Sequence, residues 1–357
     1  MHNPTRSGRL EMRAALLHAP GSLEVSTLPR PDCPEGGLLI KVEACSVCAS
    51  DVKMVRLGHR DLLYPRILGH EVAGKIVESS AEGGSLEVGD RVQVWPGMAC
   101  GDCPQCLRGH DNQCSSIGIL GFNRDGGFAE LMAVPRECVS SGGVNRLDDG
   151  MPSDLATLAE PLACCMNAQE SLGVGFGDNV LIVGGGPLGA LHALLARHHR
   201  ASMVTVMERE SRRRKMLSPT GADQVIEPPE PDAWGAALDL TSGQGFDKII
   251  LAASEVQVDD RLLGILAPRG QLCLFSGLPK DRATATVDLN QLHYMERRVV
   301  GSYGCRSADC RQALRLLTDG GIEASWLISG RFGLDSIHEA LRHAESKEGM
   351  KATITRF

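Results

Sequence analysis

Two hydrophobic rhythms divide the chain. From about Ala14 to Pro135 the apolar runs are short, as in Leu38-Leu39-Ile40-Lys41-Val42 and Val72-Ala73-Gly74-Lys75-Ile76-Val77. Gly, Pro and Asp punctuate them, for example at Glu87-Val88-Gly89-Asp90. That pattern predicts a compact β-rich domain with long loops. Near Asp154 the rhythm lengthens. A helix is expected over 154–169, a buried strand over 179–183 and a helix over 187–200, then a strand over 203–207 and a helix over 211–217. Further strands are expected at 248–252, 270–275 and 299–301. Strands alternating with helices predict a parallel sheet covered on both faces. The proline-rich stretch 227–231 reads as a surface connection. Helices over 308–317 and 334–344 then flank a short strand at 326–328, and a last strand at 351–354 can rejoin the first domain.

Composition narrows the class. Of the 357 residues, 43% are hydrophobic and 23% charged, which suits a folded globular chain of two domains. The net charge of -7 disfavours nucleic acid and anionic membrane surfaces as partners. No run approaches the ~20 apolar residues that span a bilayer. The basic run Arg212 to Lys215 sits among acidic neighbours and reads as a solvated helix face. Met1 to Arg9 is polar with no apolar core, so it reads as a frayed extension and not an export signal. A cytoplasmic location with reduced thiols is expected, and thirteen cysteines then need another use.

Four of them, Cys100, Cys103, Cys106 and Cys114, share one Gly/Pro-rich stretch with the spacing C-x2-C-x2-C-x7-C. Four thiolates fill a tetrahedral zinc shell and leave no open position, so the site would be structural. A [4Fe–4S] cluster is the rival reading, weakened by the x7 gap and by the lack of a second cluster motif. A second group, Cys48, His70 and Glu71, with Glu160 further on, has the mixed ligand types of an open zinc site. Cys45 precedes Cys48 by three residues and reads as core packing. Val180 to Val183 runs into Gly184-Gly185-Gly186-Pro187-Leu188-Gly189, a G-x-G-x-x-G turn between strand and helix. Such a turn brings backbone and helix N-terminus against a pyrophosphate. Glu208, nineteen residues after Gly189, ends the next strand and suits the ribose hydroxyls. A carboxylate there favours NAD, while the adjacent Arg209 leaves NADP open.

Taken in order, these motifs resemble the zinc-containing medium-chain dehydrogenase/reductase family, nearest its sorbitol (polyol) dehydrogenase branch. Gly69-His70-Glu71-Val72-Ala73-Gly74, Asp125-Gly126-Gly127-Phe128-Ala129-Glu130 and Glu160-Pro161-Leu162 carry the likeness, with the nucleotide turn following them. The resemblance implies an α/β fold, with a GroES-like catalytic domain, a Rossmann domain and an active site in the cleft. The expected divisions are an extension over 1–13, the catalytic domain over 14–165 with a structural-zinc lobe near 96–118, the nucleotide domain over 166–304, and a return over 305–357. Two zincs per chain are implied. Cys48, His70 and Glu71 or Glu160 would hold the catalytic one, with Asp51 orienting the histidine and Ser50 starting a proton relay. Lys53 stands where the family often has histidine. Gly277 is implied at the cofactor, and Tyr303 near nicotinamide and substrate. The implied reaction takes a secondary alcohol (polyol, cyclitol, aminocyclitol or sugar-derived) to a ketone with NAD(P), in a homodimer or homotetramer. A zinc-free enone or quinone reductase and a catalytically silent binding protein on this fold are the alternatives.

Overall fold

The computed structural model describes residues 10–81, 85–228, 233–278 and 283–357. It divides into two compact units, one of residues 1–160, 328–346 and 351–357, the other of 161–327 and 347–350. Of the proline-rich stretch, Pro229 to Pro231 lies outside the described residues.

Among the described residues the first unit opens with ten strands: β1 (Glu11–Ala19), β2 (Ser22–Pro29), β3 (Leu38–Ser46), β4 (Arg66–Ile67), β5 (Glu71–Ser79), β6 (Arg91–Val94), β7 (Gly97–Met98), β8 (Gly118–Ile119), β9 (Leu131–Val134) and β10 (Val144–Arg146). The second unit adds β11 (Asn179–Val183), β12 (Met203–Met207), β13 (Gln224–Ile226), β14 (Phe246–Leu251), β15 (Leu266–Leu274) and β16 (Arg298–Gly301). The chain then returns with β17 (Ile328–Gly333) and β18 (Lys351–Arg356).

In the first unit the main sheet runs β10-β6-β5-β3-β18-β17, with β9 also paired to β3. The last strand of the chain therefore sits inside the sheet. It pairs antiparallel with β3, Thr353 opposite Ser46, and parallel with β17. A second sheet, β2-β1-β4, covers the same core. Leu17, Leu38, Ile40, Leu68, Ile76, Phe128 and Met132 fill it, and Ile337, Leu341 and Ile354 close it from the returning segment. Alternation explains the choice of residues, because a strand with one buried face shows its polar positions to water.

The second unit is a six-stranded sheet in the order β13-β12-β11-β14-β15-β16, with every pairing parallel. The order reverses at β11, the arrangement of a doubly wound dinucleotide fold. β11 and β12 are almost wholly apolar and buried, as helices on both faces demand.

Three local expectations need correction. The helix expected over 154–169 is two, Ser153–Ala156 and Ala159–Leu172. Between them Thr157 Oγ1 donates back to Asp154 O at 2.6 Å and also lies 2.6 Å from Ser46 Oγ, so its side chain serves the sheet. The strand expected at 326–328 begins as a 3-10 turn, Ser325–Leu327, with Glu323 Oε1 accepting from Ser325 N–H at 2.8 Å. The basic run 212–215 is not wholly solvated, since Arg213 is buried and donates to Gly349 O at 3.3 Å. The second unit also keeps the chain as far as Leu327, beyond the return expected at 305. Arg306 pairs with Glu170, and His198 Nδ1 lies 3.3 Å from Gly321 O, both within that unit.

Candidate metal centres and dinucleotide turn

Cys48 is the N-cap of the helix Ala49–Leu57, and its position is fixed by Asp51. One oxygen of Asp51, Oδ2, accepts from Cys48 N–H at 2.8 Å, a capping bond for an otherwise orphan donor. The other, Oδ1, faces His70 Nδ1 at 3.4 Å. Thus one fully buried carboxylate sets both the thiol and the imidazole. His70 follows Gly69, whose φ of 91° is left-handed. A side chain at Gly69 would also strike Cys45 Sγ at 2.6 Å and Phe128 at 2.9 Å. Cys45 is fully buried against this turn, and burial pushes its thiol well up, so it packs.

Glu71 opens β5 opposite Ser46 of β3, and Thr353 of β18 lies opposite the same serine. Two residues earlier on β18 is Lys351, whose Nζ stands 2.6 Å from Glu71 Oε1 and 2.5 Å from Oε2. Both residues are buried. Burial opposes the lysine's charge, but Glu71 and then Cys48 outweigh it and hold its pKa up. His70 behaves alike. Burial alone would depress it, yet Asp51 and Cys48 keep it well above the ordinary imidazole value.

Ligand atoms of Cys48, His70 and Glu71 all lie within 4.8 Å of one another. Around them Ser50 Oγ, Asp51 Oδ1, His70 Nδ1 and Glu71 Oε2 are buried without an aligned hydrogen-bond partner. Asp51 Oδ1 and His70 Nδ1 face each other and Glu71 Oε2 faces Lys351 Nζ, so the fit to a cation rests on the donor set itself, since a thiol, an imidazole and a carboxylate within one shell are the ligand types of zinc. Glu160 falls outside this cluster. It groups instead with Cys164, one turn later on its own helix, although its charge is felt at Lys351. Lys53, three residues after Ser50 on the capped helix, is exposed.

The four-cysteine lobe is also gathered. Cys114 Sγ lies 3.4 Å from Cys100 Sγ, Cys103 Sγ 3.5 Å from Cys106 Sγ, and Cys100 Sγ 3.9 Å from Cys106 Sγ. Sulfurs on one tetrahedral zinc stand about 3.8 Å apart, given Zn–S near 2.3 Å. Backbone N–H groups of Cys106 and Ser115 bring Cys103 down to about 6, the direction a thiolate ligand needs. The spacing suits a single ion; the four irons of a cluster would hold the sulfurs farther apart.

In the second unit, Gly186 caps and Pro187 begins the helix Pro187–His198. A side chain on Gly189 would lie 1.8 Å from Gly184 O, so only glycine lets helix and turn meet. Leu188 follows in the first turn, its carbonyl accepting from Cys165 Sγ. Glu208 Oε2 accepts from Gly185 N–H and Oε1 from Glu210 N–H, each at 2.8 Å. Arg209 is tied to Glu255. Arg213 lies beside the turn, its Nη1 3.4 Å from where a Gly186 side chain would begin. Gly277 follows β15 and is open to solvent, and Tyr303 is 57% exposed. Sequence reasoning missed Lys351 and Arg213. Lys351 is distant in sequence from every motif, whereas Arg213 sits five residues after Glu208, where one helical turn can bring a cation back to the glycines.

Residues 34–142 match the family described as "Alcohol dehydrogenase GroES-like domain", and residues 187–319 the one described as "Zinc-binding dehydrogenase". The chain is 32% identical to an L-threonine 3-dehydrogenase of Pyrococcus horikoshii, over 88% of each protein. It is 30% identical to a D-altritol 5-dehydrogenase of Agrobacterium fabrum, over 89% of this chain and 91% of that one. A solved zinc-binding dehydrogenase of Sinorhizobium meliloti, bound to NADP, is similar with a TM-score of 0.88 and 28% identity, over 97% of this chain and 99% of the other. With both characteristic regions in order and such relatives along nearly its full length, the chain belongs to the zinc-binding alcohol dehydrogenase family, oxidoreductases that work on alcohols with a nicotinamide dinucleotide.

Proposed function

We propose that this oxidoreductase converts a secondary hydroxyl of a polyol or cyclitol to a ketone with NAD, using one zinc at Cys48, His70 and a carboxylate and a second, structural zinc at Cys100, Cys103, Cys106 and Cys114. The observation that carries the reading is the convergence of the Cys48 thiol, the His70 imidazole and the Glu71 carboxylate in the first unit, whose ligand atoms lie within 4.8 Å of one another, with His70 and Glu71 buried. The D-altritol enzyme is the relative that points to polyols. The threonine enzyme favours a second reading, an amino-alcohol substrate.

When bound, zinc lowers the pKa of the substrate hydroxyl as a Lewis acid and nicotinamide accepts the hydride. The protein's own groups prepare that chemistry. Asp51 Oδ1, next to His70 Nδ1, keeps that nitrogen protonated and leaves Nε2 as the ligand atom. Lys351 pairs with Glu71 in the buried site and supplies its counter-charge. Glu71 is the carboxylate within the cluster and Glu160 lies outside it; the Lys351 pair engages Glu71, so Glu160 would reach the shell only by a shift and otherwise leaves the fourth place to substrate. Ser50 Oγ accepts the substrate proton and passes it to water beside the exposed Lys53. Tyr303, more than half exposed, is retained as a substrate contact.

For the cofactor, the turn at Gly184, Gly186, Pro187, Leu188 and Gly189 takes the pyrophosphate, with Arg213 as its cation. Gly277 lines the nicotinamide end. Glu208 is buried and ionisable where a 2′-phosphate would sit, and Arg209 is engaged by Glu255, so NAD is preferred to NADP. The edge strand β16, with Val299 42% exposed, is proposed to pair with its copy in a homodimer or a tetramer built from it. Reduced thiolate ligands suit the cytoplasm. Among the described residues no helix is long and apolar enough to cross a membrane.

The test is NAD reduction across polyols, cyclitols and amino-alcohols, with zinc measured in the same sample. Cys48→Ser and His70→Ala are expected to lose turnover and to keep NADH binding by fluorescence. Near-normal turnover in zinc-verified Cys48→Ser protein would defeat the assignment.

A further inference from the structure

One face of the helix Ala159–Leu172 grips a single stretch of chain, 302–306. Asn167 Nδ2 donates to Gly304 O at 3.0 Å and to Ser302 Oγ at 3.3 Å. Glu170, three residues on, pairs with Arg306, which is also held by Asp309 at 2.5 Å. Cys164, three residues before Asn167, completes the same face, and its Sγ lies within 4.8 Å of Cys305 Sγ. Neither cysteine belongs to either zinc set. Cys164 is half-buried and Cys305 is 4% exposed, so the first is the one a small oxidant reaches.

We infer that Cys164 and Cys305 are an oxidisable dithiol, closed to a disulfide by a hydroperoxide and reopened by thiols. A disulfide needs its sulfurs near 2.05 Å and its Cα atoms within about 7 Å. Here the two sulfurs already lie within 4.8 Å of each other, with a Glu160 carboxylate oxygen equally near, and the contacts of Asn167 and Arg306 hold the helix and the 302–306 segment together on either side. The Cys164 thiolate attacks one peroxide oxygen and the O–O bond breaks, giving a sulfenic acid and hydroxide. The Cys305 thiolate then attacks the sulfenic sulfur, the S–S bond forms, and the S–O bond breaks to release a second hydroxide; the protons shed by the two thiols convert both hydroxides to water. Overall two thiols give up two electrons and two protons, and hydrogen peroxide leaves as two waters. The bond fastens the segment that carries Tyr303 to the helix that carries Glu160 in its first turn. Formation of the bond does not depend on the catalytic reading.

Zinc-loaded full-length protein is treated with hydrogen peroxide, alkylated and cut with trypsin. The expected product joins the peptide of residues 299–306 to that of residues 147–197, two hydrogens lighter than the sum, and dithiothreitol undoes it. The link is lost in Cys164→Ser and in Cys305→Ser, and it persists in Cys165→Ser. It also forms in Cys48→Ser, which separates this inference from the fate of the proposed chemistry. Hydrogen exchange at residues 302–306 slows in the linked form. Four outcomes overturn the inference: Cys305 fully alkylated while Cys33 is oxidised, a link through Cys165, a link that leaves exchange at 302–306 unchanged, or a third zinc per chain that shields both thiols.

Discussion

Lys351 and Glu71 show how a pair of charges survives in a core. Each is buried, each is the other's partner, and removing one strands the other in a place that water does not reach. Lys351→Met is therefore expected to lower stability by about 3–5 kcal/mol, the typical cost of an orphaned buried charge. Adding Glu71→Gln should return most of that loss, since a neutral amide no longer needs the ammonium. Urea unfolding of the two single variants and the double variant measures the coupling. If the effects simply add, the pair has no special worth. Asp51 is the other residue with two tasks, and its capping bond makes it as much a part of the helix start as of the proposed metal site. Motif spacing exposes His70 and Cys48 because ligands cluster in sequence. Lys351 stayed hidden because only pairing between distant strands brings it there.

At the scale of elements, the lobe from Cys100 to Cys114 owes little to apolar burial; only Cys114 of the four is buried. On the proposed zinc assignment its order depends on the sulfurs meeting on one ion. Cys103→Ser should then cost one zinc per chain and lower the melting temperature, while the affinity for NADH, proposed to bind at the glycine turn of the other unit, stays within about twofold. Metal analysis beside a thermal melt checks this, and unchanged zinc content would contradict it. The parallel strands were the most legible elements. β11 and β12 have the predicted bounds, because a run of Val, Leu and Ile buried on both faces admits few other readings. The helix break at Thr157 was illegible, since it follows from a hydroxyl bonded to β3, a contact with no local signal. Arg213 was misread for a related reason: charge alone says nothing about which side of a short helix a residue faces, and a carbonyl at Gly349 draws it inward.

For the whole molecule, the divided first unit matters most. Its sheet lacks a middle strand until residues 351–356 arrive; without them β17 would have no partner strand and β3 would be uncovered at its Cys45–Ser46 end, the other half being paired by β9. A chain stopped after Met350 is expected to be largely insoluble, or readily cut by protease within residues 38–79. Full solubility and resistance in that truncated chain would show β18 to be dispensable. The same interleaving brings residues 307 positions apart to one spot, since Thr353 and Ser46 share a hydroxyl contact at 2.7 Å.

That placement of β18 has a consequence for how the protein is made. The first strands are synthesised well before β17 and β18, so throughout translation of the second unit the Cys45–Ser46 end of β3 is an uncovered edge. An error of synthesis in residues 351–356 therefore reaches the middle of a sheet and not merely its fringe.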